Sequence, residues 1–458
     1  SDMTHVTRFL REHAPNGLEE LEKQFFIHIS RHKQQEGLVL LKYDQLNSPM
    51  SNPIVQECRG IILDESQDWE VLVFPYSKFF NMREVANAAV IDWTQPVRAY
   101  EKIDGSLMTM YWHQGAWRVA TSGVPDASGK LHNPNRPVNP ILEGDEETAE
   151  DTSEKSEEKN EPTIRPTEVD PETGLTPVGS GPGRKSFAEL FWEVFKLLGY
   201  EEPREEDRNR CYMFELATPQ NRVLIRHTKA QLYLHGVRNM STLQEEKPDG
   251  FCEKYGWKLT PMVELKSKAE FESVILPKVN SLDGLQCEGY VICDAQFNRF
   301  KLKCPSYVNL SLLYNKDGNE WKRLVGIVQV NEGSEFLAYF PHCTDLYNSI
   351  LARYERIIAT LRAVAKKYQH LNPKDLSATM KSLPDWIRGP LFIHLKTKED
   401  FKTWFGNPQR YNQLCTMLNP KSTGPEFPDL DKLPEASQAT ASSSASDAQN
   451  ALGTSTSS

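Results

Sequence analysis

The chain has 458 residues, with 53 Lys+Arg against 63 Asp+Glu for a formal net charge of −10, which at face value argues against a nucleic-acid partner. The position of the charge lifts that exclusion: 13 acidic and three basic residues lie between Glu143 and Glu172, five acids and Lys432 lie in the tail from Thr423, and the remainder carries about +4. The length suggests two or three domains, and with neither a run of eighteen apolar residues nor a signal-peptide pattern, neither membrane insertion nor export is expected.

In chain order, the first β-rich runs are Arg59–Asp64 and Val71–Tyr76. Leu107–Trp112 and Trp117–Thr121 flank His113-Gln114-Gly115 and form a hairpin signature. From Leu142 to Arg184 the chain is Glu, Asp, Ser, Thr, Pro and Gly with hardly a large apolar residue, which predicts a disordered acidic insertion. Ser186-Phe187-Ala188-Glu189 then forms a capping-box pattern that opens a helix ending near Leu198, before Gly199. Further strands are expected at Met213–Ala217, Arg222–Ile225, Gly289–Cys293 and Arg299–Lys303. Beyond Asn309 the texture turns helical, with apolar residues at Leu346, Ile350, Tyr354, Ile357, Leu361 and Ala365, and helices expected at 375–382 and 398–405. The tail from Thr423 to Ser458 reads as disorder. Eight cysteines without a CxxC pair point to reduced thiols in an intracellular protein, cytoplasmic or nuclear.

The residues with chemical potential lie at strand ends. Glu101-Lys102-Ile103-Asp104-Gly105-Ser106 sets a lysine beside a tight bend ahead of a strand, where an amine can become a nucleophile and a glycine lets a phosphate or ribose approach. Phe214-Glu215-Leu216 and Glu288-Gly289-Tyr290-Val291 place carboxylates among apolar strand residues, and Lys301-Leu302-Lys303 puts two ammonium groups on one face of a strand. Any one of these is explained by a solvated strand end. Two carboxylates and at least three cations on one sheet fit a nucleoside triphosphate and its divalent metal.

This order resembles motifs I, III, IV and V of the covalent nucleotidyltransferases, the superfamily of ATP-dependent ligases and mRNA capping enzymes. Arg59-Gly60-Ile61, Lys78-Phe79-Phe80-Asn81 and Asn221-Arg222-Val223 are similar to elements of the phage-type RNA ligase 1 family, and the likeness covers about Gln56 to Tyr307. The resemblance implies an α+β fold: an antiparallel-sheet nucleotidyltransferase (ATP-grasp-like ligase) domain over 4–308, interrupted by the 142–184 insertion, then a helical domain over 309–422 and a tail over 423–458. It implies that Lys102 takes AMP from ATP, that Asp104 holds the turn with some catalytic share, and that Lys301 and Lys303 neutralise the α-phosphate. By the same token Arg59 and Lys78 grip phosphate, Gly105 lines the ATP site, Glu215 contacts the ribose, and Glu288, with Glu215 as a second candidate, holds Mg²⁺ or Mn²⁺. The expected partner is RNA with 5′-phosphate and 3′-hydroxyl ends, cleaved tRNA among the candidates, acted on by a monomer. The rivals are a DNA ligase or mRNA guanylyltransferase, in which an OB-fold would follow motif V, and a non-catalytic RNA-binding protein. Residues 349–402, with 11 basic and five acidic residues, form a candidate RNA-backbone surface. The 226–229 basic loop and the tryptophans at 112, 117, 192 and 386 read as solvated loop and core.

Overall fold

The computed structural model describes residues 3–84, 90–132, 168–311 and 320–435. The chain divides into two compact units, one up to Leu313 and one from Tyr314.

The first unit is built on three sheets, antiparallel in every described pairing but one. Strands β1 (His28–Arg31), β2 (Leu38–Lys42), β3 (Arg59–Asp64) and β4 (Glu70–Val73) pair in that order. The period-two alternation of strands explains why all of β2 is buried. Val39 and Leu41, with Ile61 and Leu63, face the N-terminal helices His5–Glu12 and Gly17–Phe25. Leu38, Leu40 and Ile62 face the opposite way, onto Tyr111, Cys211 and Met213 of the largest sheet.

That largest sheet contains β6 (Ser106–His113), β7 (Ala116–Ala120), β8 (Arg210–Ala217), β9 (Gln231–Asn239) and β10 (Glu245–Glu246) in the order β10-β9-β8-β6-β7, with β11 (Lys258–Leu259) parallel to β9. The third sheet runs β12-β5-β13-β14, from Met262–Leu265 (β12), Val97–Glu101 (β5), Gly289–Cys293 (β13) and Arg299–Lys303 (β14). The helix Phe187–Leu197 covers the largest sheet through Leu190, Phe191, Val194 and Phe195, and the Ser186 hydroxyl caps it by accepting from the Glu189 amide.

Three expectations are corrected. Within the acidic insertion, residues 168–184 are packed: Leu175 is 1% and Val178 5% exposed, both in the same core as Phe191, and the insertion's polar composition concealed these two anchors. Residues 142–167 lie outside the described ones. Arg222–Ile225 is a bent loop, because the Leu224 and Ile225 amides donate to the Asp104 carboxylate instead of to a neighbouring strand. In the tail, 423–435 lies against helices, while 436–458 is outside the described residues.

The second unit is helical among its described residues. Its longest helix, Thr344–Tyr368, buries Tyr347, Ile350, Tyr354, Ile357, Leu361, Val364 and Tyr368, the i, i+3/i+4 stripe expected of a core helix. Around it lie Glu320–Gln329, Asp385–Thr397, Phe401–Gly406 and Tyr411–Leu418. No described helix is long and apolar enough to cross a membrane.

Candidate active site

Lys102 stands where the chain leaves one sheet for another. Past the end of β5, the Lys102 amide donates to the Gly289 carbonyl at 2.9 Å and extends the pairing with β13 by one residue. The chain then bends through Asp104-Gly105 and enters β6 of the largest sheet. The bend is fixed from inside: Asp104 is 3% exposed, one carboxylate oxygen accepts from the Leu224 and Ile225 amides, and the other accepts from the Tyr307 hydroxyl at 2.8 Å. Gly105 is required sterically, since a Cβ there would lie 2.4 Å from the Leu216 carbonyl oxygen and 3.3 Å from Glu215 Cγ.

The Lys102 ammonium pairs with the Glu288 carboxylate, which is 3% exposed, and Lys303 Nζ lies 3.8 Å from the same oxygen. The register brings this about, because Gly289 sits opposite Lys303 across β13 and β14. Gly289 has φ +146, and a Cβ would sit 2.1 Å from the Leu302 carbonyl oxygen, so the close crossing behind Glu288 needs glycine. Lys301, two residues back on β14, is tied by its backbone to the Lys78-Phe79-Phe80-Asn81 segment: its amide donates to Phe80 and its carbonyl accepts from Met82.

Glu215 lies on β8, opposite Leu107 on β6 and Tyr233 on β9. Its carboxylate is 3.3 Å from His235 Nε2, and His235 Nδ1 is 2.7 Å from the Tyr76 hydroxyl. Tyr76 in turn lies under the Arg299 guanidinium, which makes a two-pronged pair with Glu245 at 2.7 Å per contact. Burial pushes the Tyr76 phenol well up, so it stays a neutral hydroxyl able to donate.

Arg59 and Lys78 are joined through Gln56 and Phe79. The Lys78 amide donates to the Gln56 carbonyl at 2.7 Å, and the Arg59 guanidinium lies 5.4 Å from the Phe79 ring centroid. Lys78 Nζ lies over the rings of Tyr43 and Phe80. Lys42, paired with Arg59 across β2 and β3, is a further cation, and its ammonium donates to Ser122 Oγ at 3.3 Å. Burial lowers the Arg222 guanidinium below its ordinary range, and Arg226 acts in the same direction; an anion beside them would relieve both effects.

Side-chain contacts therefore join Lys102, Glu288 and Lys303 directly, Lys301 lies alongside Lys303 on the same strand, and Glu215 stands against Gly105, three residues from the lysine. Lys78 connects to this group through the backbone bonds of its segment to Lys301, and Arg59 through the contact of its guanidinium with the Phe79 ring. Sequence reading missed Tyr76, His235, Tyr307 and Lys42. Tyr307 carries one readable signal, a polar aromatic four residues past Lys303 at the start of a helix, whereas nothing in the spacing of Tyr76 and His235 marks them as partners. His227, assigned to a solvated loop, places its Nε2 2.6 Å from the Asp104 carbonyl oxygen.

A lysine-bearing bend thus joins two antiparallel sheets, with carboxylates and cations at the adjoining strand ends. Residues 57–307 match the family model described as RNA ligase, the phage RNA ligase 1 type, and the chain belongs to that family. Over 129 residues it is 32% identical to a protein of Autographa californica nuclear polyhedrosis virus described as a bifunctional polynucleotide kinase/RNA ligase, covering 26% of this chain and 18% of that one. Over 234 residues it is 24% identical to an RNA ligase of Rhodothermus phage RM378, covering 45% of this chain and 42% of that one. The chain thus spans less than half the length of either curated relative. Among solved structures it is similar to an archaeal ATP-dependent RNA ligase at 13% identity, with 77% of this chain and 83% of that chain covered and a TM-score of 0.38.

Proposed function

We propose that the chain is an ATP-dependent RNA ligase that seals an RNA 5′-phosphate to a 3′-hydroxyl. The observation that carries this reading is the contact of the Lys102 ammonium with a buried carboxylate that Lys303 also approaches. The strand-end amine thus sits beside the charges an α-phosphate requires. Lys102 Nζ, freed from Glu288 and deprotonated, attacks the α-phosphorus of ATP; the P–N bond forms as the P–O bond to pyrophosphate breaks. AMP then passes to the RNA 5′-phosphate, and the 3′-hydroxyl displaces AMP to close the strand. Each step is a displacement at phosphorus, in which positioning and charge neutralisation supply the acceleration. Lys301 and Lys303 serve the α-phosphate, Glu215 the ribose, and Arg59 and Lys78 the outer phosphates or the RNA end.

Glu288 offers a carboxylate oxygen at the proposed nucleophile, with Glu215 as a second candidate, and one or two carboxylates plus phosphate oxygens suit Mg²⁺ or Mn²⁺. Such an ion, when bound, supplies neutralisation of charge on the phosphates. Broken RNA, including cleaved tRNA, is the proposed substrate, acted on by a monomer. The eight free cysteines support a reducing intracellular compartment, cytoplasmic or nuclear.

Incubation with α-labelled ATP or GTP and Mg²⁺ tests the reading. AMP alone is expected on the protein, acid-labile and absent from Lys102→Ala. No label with either nucleotide leaves a non-catalytic RNA-binding protein, GMP labelling points to guanylyl transfer, and preferential sealing of DNA nicks over RNA ends points to a DNA ligase.

A further inference from the structure

We propose that one face of the helix Thr344–Tyr368 is a binding surface for single-stranded RNA, over which the chain's own segment 419–435 lies as a stand-in. The proposal rests on the ligase reading for its choice of nucleic acid. Arg353, Arg356 and Lys367 recur at spacings that place them within one narrow strip of this helix, about 21 Å long at 1.5 Å per residue.

Each of the three is engaged by that segment through a group that an RNA strand also offers. The Arg353 guanidinium donates to the carbonyl oxygens of Asn419 at 2.6 Å and Ser422 at 3.0 Å, a fork of two acceptors such as a phosphate presents. Lys367 Nζ donates to the Leu433 carbonyl at 2.9 Å and lies 3.4 Å from the Glu435 carboxylate. Between them the Phe427 ring lies beneath the Arg356 guanidinium, 3.9 Å from its centroid, and meets Trp386 edge-on at 5.6 Å and 71°. A planar ring held between an arginine and a tryptophan occupies a place suited to a nucleobase. The Trp386 indole N–H adds a donor, directed here at the Glu426 carbonyl at 2.9 Å.

The covering segment has the character of something that can be displaced. It contains one short 3-10 turn, Leu430–Lys432, and its chain is punctuated by Pro420, Pro425, Pro428 and Pro434. Leu430 is 40% exposed, so little apolar burial holds the segment down. From Asn419 to Glu435 it carries four acids and two lysines, a net negative charge of the sign that a basic strip attracts. Release exposes two arginines, a lysine and a tryptophan together, a phosphate-and-base combination that a protein partner would not specifically require.

The test compares the full chain with a form ending at Leu418, the end of the last described α-helix, using fluorescent single-stranded RNA whose ends are blocked against ligation. The truncated form is expected to bind about ten-fold tighter near 0.1 M salt, with the slope of log affinity against log salt steeper by about 2, as for two or three added phosphate contacts. Arg356→Ala should remove most of that gain in the truncated form and change little in the full chain. Phe427→Ala, which keeps the whole chain, should give part of the gain and guards against a folding defect of the truncation. Unchanged affinity and salt slope in both the truncated and the Phe427→Ala proteins overturn the proposal, as does a gain that Arg356→Ala leaves intact. Lys102 adenylylation measured on the same proteins keeps the two readings apart: tighter RNA binding without labelling would sink the ligase and leave the surface.

Discussion

The Tyr307 hydroxyl donates to Asp104 at 2.8 Å, joining residues 203 positions apart in the chain. With the Leu224 and Ile225 amides on the other carboxylate oxygen, Asp104 is committed to protein partners. A dominant structural role follows: it locks the bend that aims Lys102. Asp104→Asn can still accept from the two amides through its oxygen and donate to the tyrosine oxygen, so a loss of about 1–2 kcal/mol is expected. Asp104→Ala strands the half-buried Leu224 and buried Ile225 amides and should cost about 2–4 kcal/mol. Denaturant titration measures both. Full loss of lysine labelling in Asp104→Asn with stability intact would show that Asp104 acts directly on the reactants.

Glu288 is the shared counter-charge of Lys102 and Lys303, buried where water cannot replace it. Glu288→Gln leaves two ammonium groups facing a neutral amide and removes the proposed oxygen donor for a divalent ion. The rate of labelling should drop by about 10²-fold or more, the scale of losing one well-placed electrostatic group. The Mg²⁺ or Mn²⁺ concentration for half-maximal labelling should rise as well, and chelation should abolish labelling of the unaltered protein. A Gln variant with normal metal dependence would detach Glu288 from the ion.

The Tyr76–His235–Glu215 chain gives the proposed ribose carboxylate a fixed orientation. Tyr76→Phe deletes the hydroxyl that steadies His235 while keeping the ring under Arg299. The expected result is a KM for ATP several-fold higher with kcat much less affected, since ground-state and transition-state binding of the ribose suffer alike. Discrimination between ATP and 3′-deoxy-ATP should narrow in step. Unchanged discrimination would mean that the hydroxyl supports packing alone.

Arg98 and Asp249 tie β5, the strand that delivers Lys102, to the helix Asp249–Tyr255 through two charge-assisted hydrogen bonds of 2.7 and 2.9 Å. The Arg98 hydrogen bonds, outweighing burial, hold the Asp249 carboxyl below the usual carboxylate range. A folded pKa below the unfolded one stabilises above the unfolded value, and that stability is lost as pH falls through the folded pKa. Asp249→Asn should therefore cost about 1–2 kcal/mol at pH 7. The difference should shrink below about pH 4, where the unfolded carboxylate begins to protonate. Parallel acid-unfolding curves down to pH 2 would contradict this assignment.

The charged strand ends were legible because each motif is local: Lys102, Glu215, Glu288, Lys301 and Lys303 sit within a few residues of their apolar strand signals. What escaped was decided by distant partners. Arg222–Ile225 has strand composition, yet its amides serve Asp104, 120 residues away in sequence. The helix Asp385–Thr397 was hidden by Gly389-Pro390, a pair that reads as a break; Pro390 is instead buried within the helix. Strand β9 was overlooked because His235, Gly236 and Arg238 interrupt its apolar pattern, and all three have tertiary reasons to be there. A Cβ at Gly236 would meet the Tyr76 oxygen at 2.0 Å, and Arg238 donates to the Phe74 and Leu243 carbonyls.

The acidic insertion that dominates the net charge divides into two parts with different expected tolerance. Residues 142–167 carry most of its acids and no aromatic residue, so replacing them with a short Gly/Ser linker should leave Lys102 labelling and thermal stability near those of the parent chain. Extending the replacement through 184 removes Leu175 and Val178 from the core shared with Phe191. It also strips the Thr176 carbonyl from the buried Lys185 ammonium, leaving that charge on Gln220 and Glu193. Losing two buried aliphatic side chains should cost about 4 kcal/mol or more. Melting curves of the two deletions, run side by side, separate these outcomes. Equal stability would mean that 168–184 contributes nothing to the core, and equal loss would assign a structural task to 142–167 as well.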